Sequence, residues 1–210
     1  MSIMATLTAK CEKFMSSYPM AVKVYNLYYK KIVHTEVKLA KITANDKVLC
    51  IGGGSFPSTA LEIANMTGAY VNVIDNDLIA VRKAQNLIEK VGYNNKINVN
   101  HANGAKIDSI GYSVIHIAQQ VVPKNDVIEN IWKNADLNAR ILIRTPSNKL
   151  EKLYPAFNKN KWLNKRNKIS ENYKFINSTL MLEKLEEEHN NQKNRNNMKS
   201  YNPKPSYIFG

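Results

Sequence analysis

The sequence predicts an α/β fold: a mostly parallel central sheet flanked by helices, preceded by a short helical N-terminal cap. Three observations predict it. Between Lys47 and Arg144, apolar runs of strand length alternate with stretches of helical periodicity, the pattern of a parallel sheet covered on both faces. The run KVLCIGGGSFPSTALEIANMTGAYVNVIDND, Lys47 to Asp77, reads as strand, glycine turn, helix, strand and acid, the plan of a nucleotide-binding βαβ unit. The residues before Lys47 show helical spacing instead.

The elements follow in order. Leu27, Tyr28, Ile32, Val33 and Val37 fall at helical spacing between Tyr25 and Ala40, and Pro19 separates this helix from a shorter one before it. Asn45-Asp46 turns the chain into a first strand, Val48 to Ile51, which runs into Gly52, Gly53 and Gly54. Pro57 suits the first turn of the next helix, and Thr59 and Glu62 have capping-box spacing. Val71 to Ile74 is a second strand ending on Asp75. Asp77 caps a helix whose stripe is Leu78, Val81, Ala84, Leu87, Ile88 and Val91, ended by Gly92. Strands are expected near Ile97 to Asn100, at Val114 to Ala118 and at Ile141 to Arg144, with a helix from about Asp126 to Asn134. Later, Glu151 to Phe157 reads as helix, Asn158 to Asn172 as a basic polar loop, and Asn177 to Lys184 as a strand. From about Glu186 to Pro205 large apolar residues are few, and a mobile tail is expected. The division is thus a helical cap over 1–46, a Rossmann-like cofactor domain over 47–185 and a polar tail over 186–210.

Composition narrows the function classes. The chain has 210 residues, 44% of them hydrophobic, enough for one globular domain with a real core. No stretch approaches the roughly 20 apolar residues of a membrane span, and no signal-peptide pattern opens the chain, so a cytoplasmic location without membrane contact is expected. Cys11 and Cys50 make neither a disulfide framework nor a metal site. His101 and His116 have no partners at ligand spacing, and no metal is expected. The net charge of +13 suits a polyanion. It is spread along the chain without the aromatic and basic interleaving of RNA-recognition modules, so nucleic acid ranks behind a small molecule as partner.

The glycine turn selects the cofactor. A dinucleotide site has a third glycine three positions after the second, where helix and strand pack closely. Here that position is Pro57, which also removes a helix N–H that a pyrophosphate would use. S-adenosylmethionine, an adenosine with a sulfonium and an amino-acid end, fits a turn that approaches its ligand without holding a diphosphate. Asp75 at the tip of the second strand is placed to accept from ribose hydroxyls.

Beyond these features the chain resembles the nicotianamine synthase family, its archaeal members especially, which have the class I S-adenosylmethionine-dependent methyltransferase fold. The family's turn, G-x-G-P-x-P-x-T, is matched by Gly52-Gly53-Gly54-Ser55-Phe56-Pro57-Ser58-Thr59, with Ser55 replacing the first proline. The run VIHIAQQVVPKNDVIENIWKNADLNARILIRT is similar in Pro123, Lys124, Arg140, Arg144 and Thr145, as is Asn177-Ser178-Thr179 before a late strand. Tyr25, Tyr29 and Glu36 keep the spacing of a tyrosine-rich helix beside the family's cofactor pocket.

The resemblance implies transfer of the aminocarboxypropyl group of S-adenosylmethionine to an amine of a small, amino-acid-like acceptor, releasing methylthioadenosine. It implies that Gly52, Gly53, Gly54, Pro57 and Thr59 frame the methionine end of the cofactor and that Asp75 takes the ribose. Asn103 stands where an aspartate contacts the adenine amino group, and Ala118 and Gln119 line the pocket floor. Tyr29 is the candidate catalytic residue, a polar group near the reacting centre. The family's larger helical N-terminal domain carries a catalytic glutamate; only about 46 residues precede the first strand here, and Glu12 is one candidate for it. Methyl transfer to a small molecule or RNA, a cofactor-binding protein that needs a partner for activity, and a homo-oligomer all remain open.

Overall fold

The computed structural model describes residues 19–146, 158, 160–163, 167–169 and 177–184. The elements are α1 (Pro19–Ala40), β1 (Lys47–Ile51), α2 (Ser58–Thr67), β2 (Tyr70–Asp75), α3 (Leu78–Lys90), β3 (Ile97–His101), β4 (Val114–Ile117), α4 (Lys124–Asn134), β5 (Arg140–Pro146), α5 (Asn160–Leu163), β6 (Asn167–Ile169) and β7 (Asn177–Glu183). They form one seven-stranded sheet in the order β3-β2-β1-β4-β5-β7-β6. Strands β1 to β5 pair in parallel, whereas β7 runs antiparallel to both β5 and β6. This is the expected mixed α/β architecture, and the strand order reverses where β4 joins the far side of β1.

Alternation along the strands sorts side chains into two cores. Val48, Cys50, Val71, Val73 and Val114 share one core with residues of α1, α2 and α3. Leu49, Ile51, Ile115, Ile117, Ile141 and Ile143 share the other with Val127, Ile128, Ile131 and Trp132 of α4. Burial on both faces explains why the parallel strands read as near-continuous apolar runs. Cys50 is buried, and burial pushes its thiol up to about 12, so it behaves as a structural thiol.

Local chemistry sets the ends of α3. The Asp77 side chain accepts from the N–H groups of Ile79 and Ala80, as a cap should. At the other end Gly92 has φ +75°, its N–H bonds Glu89 O, and Tyr93 N–H bonds Ile88 O. That pair of bonds is a Schellman motif, which needs the left-handed conformation glycine adopts without strain.

Helix α1 begins at Pro19, the boundary the sequence suggested, since a proline in the first turn loses no intrahelical bond. Several sequence expectations are corrected. Leu78 and Val91 are exposed, and the buried stripe of α3 is Ala80, Val81, Ala84 and Ile88. The capping box does not form: α2 starts at Ser58 with Pro57 at its N-cap, Thr59 bonds other side chains, and Glu62 pairs with Lys30 and His34. Within the supposed loop 158–172 lie α5 and β6, and Trp162 packs edge-on against Trp132 at 5.7 Å between centroids. The high Asn and Lys content of that stretch hid one anchoring aromatic. The expected helix over 151–157, the tail, Glu12 and Cys11 lie outside the described residues.

A methyl group at Gly53 would sit 2.2 Å from Val73 Cγ1, inside the first core. Gly53→Ala is expected to lower stability by about 1–3 kcal/mol through overpacking. In urea unfolding, adding Val73→Ala should recover part of that loss; strictly additive costs would show that the contact is not the cause.

Candidate functional site

The C-terminal ends of β1, β2 and β4 meet where the strand order reverses, the place where open α/β sheets bind ligands. β1 leaves the sheet through Gly52 (φ +82°) and Gly54 (φ +63°), backbone conformations that favour glycine. Gly52 and Gly53 N–H groups both bond Ile74 O, at 2.9 and 3.3 Å. Gly54 N–H donates to Asp75 Oδ2 at 2.7 Å, and Asp77 N–H to Asp75 Oδ1 at 3.0 Å. The half-buried carboxylate of Asp75 therefore shapes the turn from the neighbouring strand. It keeps acceptor capacity, since two carboxylate oxygens offer about four lone-pair sites.

The other side of the crevice follows β4. A Cβ at Gly52 would meet Val121 Cγ2 at 2.6 Å and Ala118 Cβ at 3.3 Å, so the glycine turn and the segment after β4 touch. Ala118 and Gln119 are buried there, and Gln120 Nε2 donates to Gly52 O at 3.4 Å. Lys124, also buried, clamps this segment: its ammonium donates to Gln119 O at 2.9 Å and to Arg144 O at 2.7 Å. Burial, reinforced by the charge of Arg144, pushes the Lys124 amine down to about 7. Asn103, exposed past β3, accepts from Ala105 N–H through Oδ1 at 2.9 Å, which fixes the side chain in its turn.

Beside the glycine turn lies a buried polar network whose members sequence reasoning left apart. Glu36 on α1 and Arg144 on β5 are each 1% exposed. Arg144 donates through Nε to Glu36 Oε1 at 3.0 Å and through Nη2 to Oε2, a two-pronged ion pair. Thr179 on β7 donates to Glu36 Oε1 at 2.7 Å. Arg144 Nη1 donates to Tyr29 Oη at 2.5 Å and Thr59 Oγ1 at 3.4 Å, and the two hydroxyls are 3.4 Å apart. The guanidinium carbon also lies 5.0 Å from the Tyr29 ring centroid. Burial alone would raise the Glu36 carboxyl, but Arg144 and the adjacent His116 hold it well below the usual carboxylate range. Burial pushes His116 down, against the pull of the Glu36 carboxylate. Its Nε2 lies 3.3 Å from Glu36 Oε2 without a hydrogen bond between them, and Arg144 is the larger of the two influences that keep Glu36 ionised.

The structure thus gathers Gly52, Gly53, Gly54, Pro57, Thr59, Asp75, Ala118 and Gln119 at one edge of the sheet, with Tyr29 touching Thr59. Asn103 approaches from the end of β3. Sequence reasoning missed that Glu36, Arg144 and Thr179 form one cluster; the available signal was that all three fell in stretches of family resemblance. His34 bonds Glu62 on the surface. Among the described residues, no group of three or more His, Cys, Asp or Glu gathers to hold a metal ion, and no helix is long and apolar enough to cross a membrane. A separate hollow of about 230 Å³, lined by Asn45, Asp46, Lys47, Tyr70 and Asn72, lies at the opposite end, where β1 and β2 begin.

No protein-family model matches the chain. Over 73 residues, 35% of its length, the chain is 32% identical to L-histidine 2-aminobutanoyltransferase from Yersinia pestis, and the match spans 28% of that protein. Its fold is similar to MtNAS, a nicotianamine synthase, in complex with MTA and tNA: TM-score 0.68, 23% identity, covering 78% of this chain and 63% of that one. It is also similar to an RNA methyltransferase from Salinibacter ruber in complex with S-adenosyl-L-homocysteine: TM-score 0.59, 14% identity, covering 74% and 92%. At these identities the likeness establishes the fold, the Rossmann-like fold of methyltransferases.

Because Glu36 titrates far lower folded than at its ordinary value of 4.5, it adds stability above pH 4.5 that is lost as pH falls from there toward the folded value. Glu36→Gln should cost about 3–5 kcal/mol at neutral pH, the penalty for breaking a buried pair. It should also flatten the fall in stability below pH 4.5. Urea unfolding across pH 3–8 checks both; an unchanged acid limb would mean that another group titrates there.

Proposed function

We propose that the protein is an S-adenosylmethionine-dependent transferase that moves the aminocarboxypropyl group to an amine of a small, amino-acid-like acceptor. The observation that carries the choice of group is the stretch 32% identical to a transferase named for moving 2-aminobutanoyl to L-histidine. The site supports the choice of cofactor. Its glycine turn wraps on Asp75, whose remaining acceptor sites suit ribose hydroxyls, and Pro57 at the helix cap argues against a diphosphate. Neighbours of the same fold hold S-adenosylmethionine or the products of its use.

In this reading Gly52, Gly53, Gly54, Pro57 and Thr59 border the methionine end, Asn103 the adenine, and Ala118 and Gln119 the floor. Tyr29 stands at the reacting end. The sulfonium makes each attached carbon electrophilic, and the carbon that reacts is the one held about 3–3.5 Å from the nucleophile. The amine lone pair forms the new C–N bond as the C–S bond breaks and its electron pair returns to sulfur. The positive charge moves from sulfur to nitrogen, and the resulting ammonium loses its proton to solvent. The work left to the chain is positioning, which suits a site built on rigid strand ends.

Methyl transfer is the second reading, favoured by the RNA methyltransferase neighbour, 92% of whose length this chain covers. The nucleoside product separates the two. With S-adenosylmethionine and a mixture of amino acids, methylthioadenosine is expected; S-adenosylhomocysteine would instead establish methyl transfer. Asp75→Ala should weaken S-adenosylmethionine binding by about 1.5–3 kcal/mol, the worth of hydrogen bonds to a charged group. Unchanged affinity in a calorimetric titration would remove Asp75 from the ribose site.

A further inference from the structure

The edge of the sheet opposite the glycine turn gathers cations and rings that lie far apart in the chain. Lys47 opens β1 level with Tyr70, which opens β2. Lys96 precedes β3 on the other side of Tyr70, its carbonyl accepting from Val71 N–H at 2.9 Å. The strand order β3-β2-β1 thus sets Lys96, Tyr70 and Lys47 side by side, at the usual strand spacing of about 4.8 Å. Basic and aromatic residues that do not interleave along the sequence interleave across the sheet.

Each group is held in place with capacity to spare. Lys96 Nζ lies 4.3 Å from the centroid of the Tyr70 ring and donates to Gly68 O at 2.9 Å, and an ammonium has three hydrogens to give. Tyr70 is 58% exposed, too much for a core aromatic. Lys47 Nζ lies 4.8 Å from the centroid of Tyr112, whose hydroxyl accepts from Asn72 Nδ2 at 2.5 Å. Among the described residues neither ammonium pairs with a carboxylate. Asp46, the acid beside Lys47, is already engaged: it accepts from Thr43 N–H and Ser113 Oγ, each at 2.7 Å, and pairs with Arg140. Asp136, which accepts from Gly111 N–H, and Glu183, level with Arg140 on β7, close the row at its far end.

The chemistry of this edge selects its ligand. The adjoining hollow of about 230 Å³ is smaller than the roughly 300–1,000 Å³ of sites that enclose a small molecule. An exposed ring between two cations matches a base flanked by its own phosphates. A free nucleoside would leave both cations idle. In a duplex the faces of the bases are covered by one another, so the match is to a single strand.

We propose that Lys96, Tyr70 and Lys47 form a binding edge for single-stranded nucleic acid. One unpaired base stacks on Tyr70, and the two lysines meet the phosphates on either side of it. The edge is separate from the glycine turn and does not rest on the transferase reading.

The test is fluorescence anisotropy of a labelled single-stranded oligouridine of about 12 nucleotides with the full chain, between about 50 and 200 mM salt. Thermal melting checks the fold of each variant. Y70A should weaken binding about fivefold or more, the worth of one stacked base, while Y70F, which keeps the ring, holds it. Replacing both lysines, K47Q with K96Q, should lower the slope of log affinity against log salt by about 1.4, that of two phosphate contacts to a single strand. K83Q, an exposed cation on α3, should leave the Y70A effect unchanged. No binding at the lower salt, or equal affinity of wild type and a correctly folded Y70A, overturns the proposal. So does an effect of K83Q on the slope as large as that of the paired lysine variant, which would mean attraction to net charge alone. Capture of phosphatidylserine vesicles without binding of the oligonucleotide would assign the edge to a membrane surface and overturn it too.

Discussion

The buried ion pair between Glu36 and Arg144 is the constraint on which the site depends. Two charges almost without solvent are costly to bury, and they are tolerated when geometry and further hydrogen bonds are good. Here the pairing is two-pronged, and Thr179 from a third element supports the carboxylate. Breaking one partner would leave the other charge stranded, so the pair locks α1 to the sheet in one register. Apolar contacts from Ile32, Val33 and Val37 hold α1 down but do not specify that register alone. Tyr29 lies seven residues before Glu36, two helical turns away on the same face. Setting the register of α1 is therefore what delivers the Tyr29 hydroxyl to Thr59.

The second half of the site is backbone. The turn after β1 is pulled onto β2 by Asp75 and pressed against the segment after β4 by close packing at Gly52. Lys124 then ties that segment to β5, at the carbonyl of Arg144 itself. The amine clamp and the ion pair meet at one residue, so the pocket floor and the hydroxyl pair are positioned by a common anchor. A cation in the first turn of α4, where the helix dipole disfavours it, is an expensive way to hold a loop. Its two carbonyl acceptors offset that cost.

Much of this was legible in the sequence because period, glycine and capping signals are local. The five parallel strands, the glycine turn, the Asp77 cap and the acid at the tip of β2 all follow from residues close together in the chain. What was not legible depends on distance. Glu36, His116, Arg144 and Thr179 come from four elements, and nothing local distinguishes a buried Glu36 from a solvated one. The failed capping box has the same origin, since Thr59 and Glu62 were claimed by side chains of α1 rather than by their own helix. The short elements after Thr145 were hidden by composition, because Trp162 lies among Asn and Lys residues.

A crystal structure with methylthioadenosine bound tests the central claim most directly, because it locates the nucleoside without reference to turnover. The account predicts the ribose hydroxyls on the Asp75 carboxylate, the adenine toward Asn103, and the sulfur toward Tyr29 and Thr59. A nucleoside lodged in the hollow where β1 and β2 begin, or one at the glycine turn with its sulfur directed away from Tyr29 and Thr59, would contradict it.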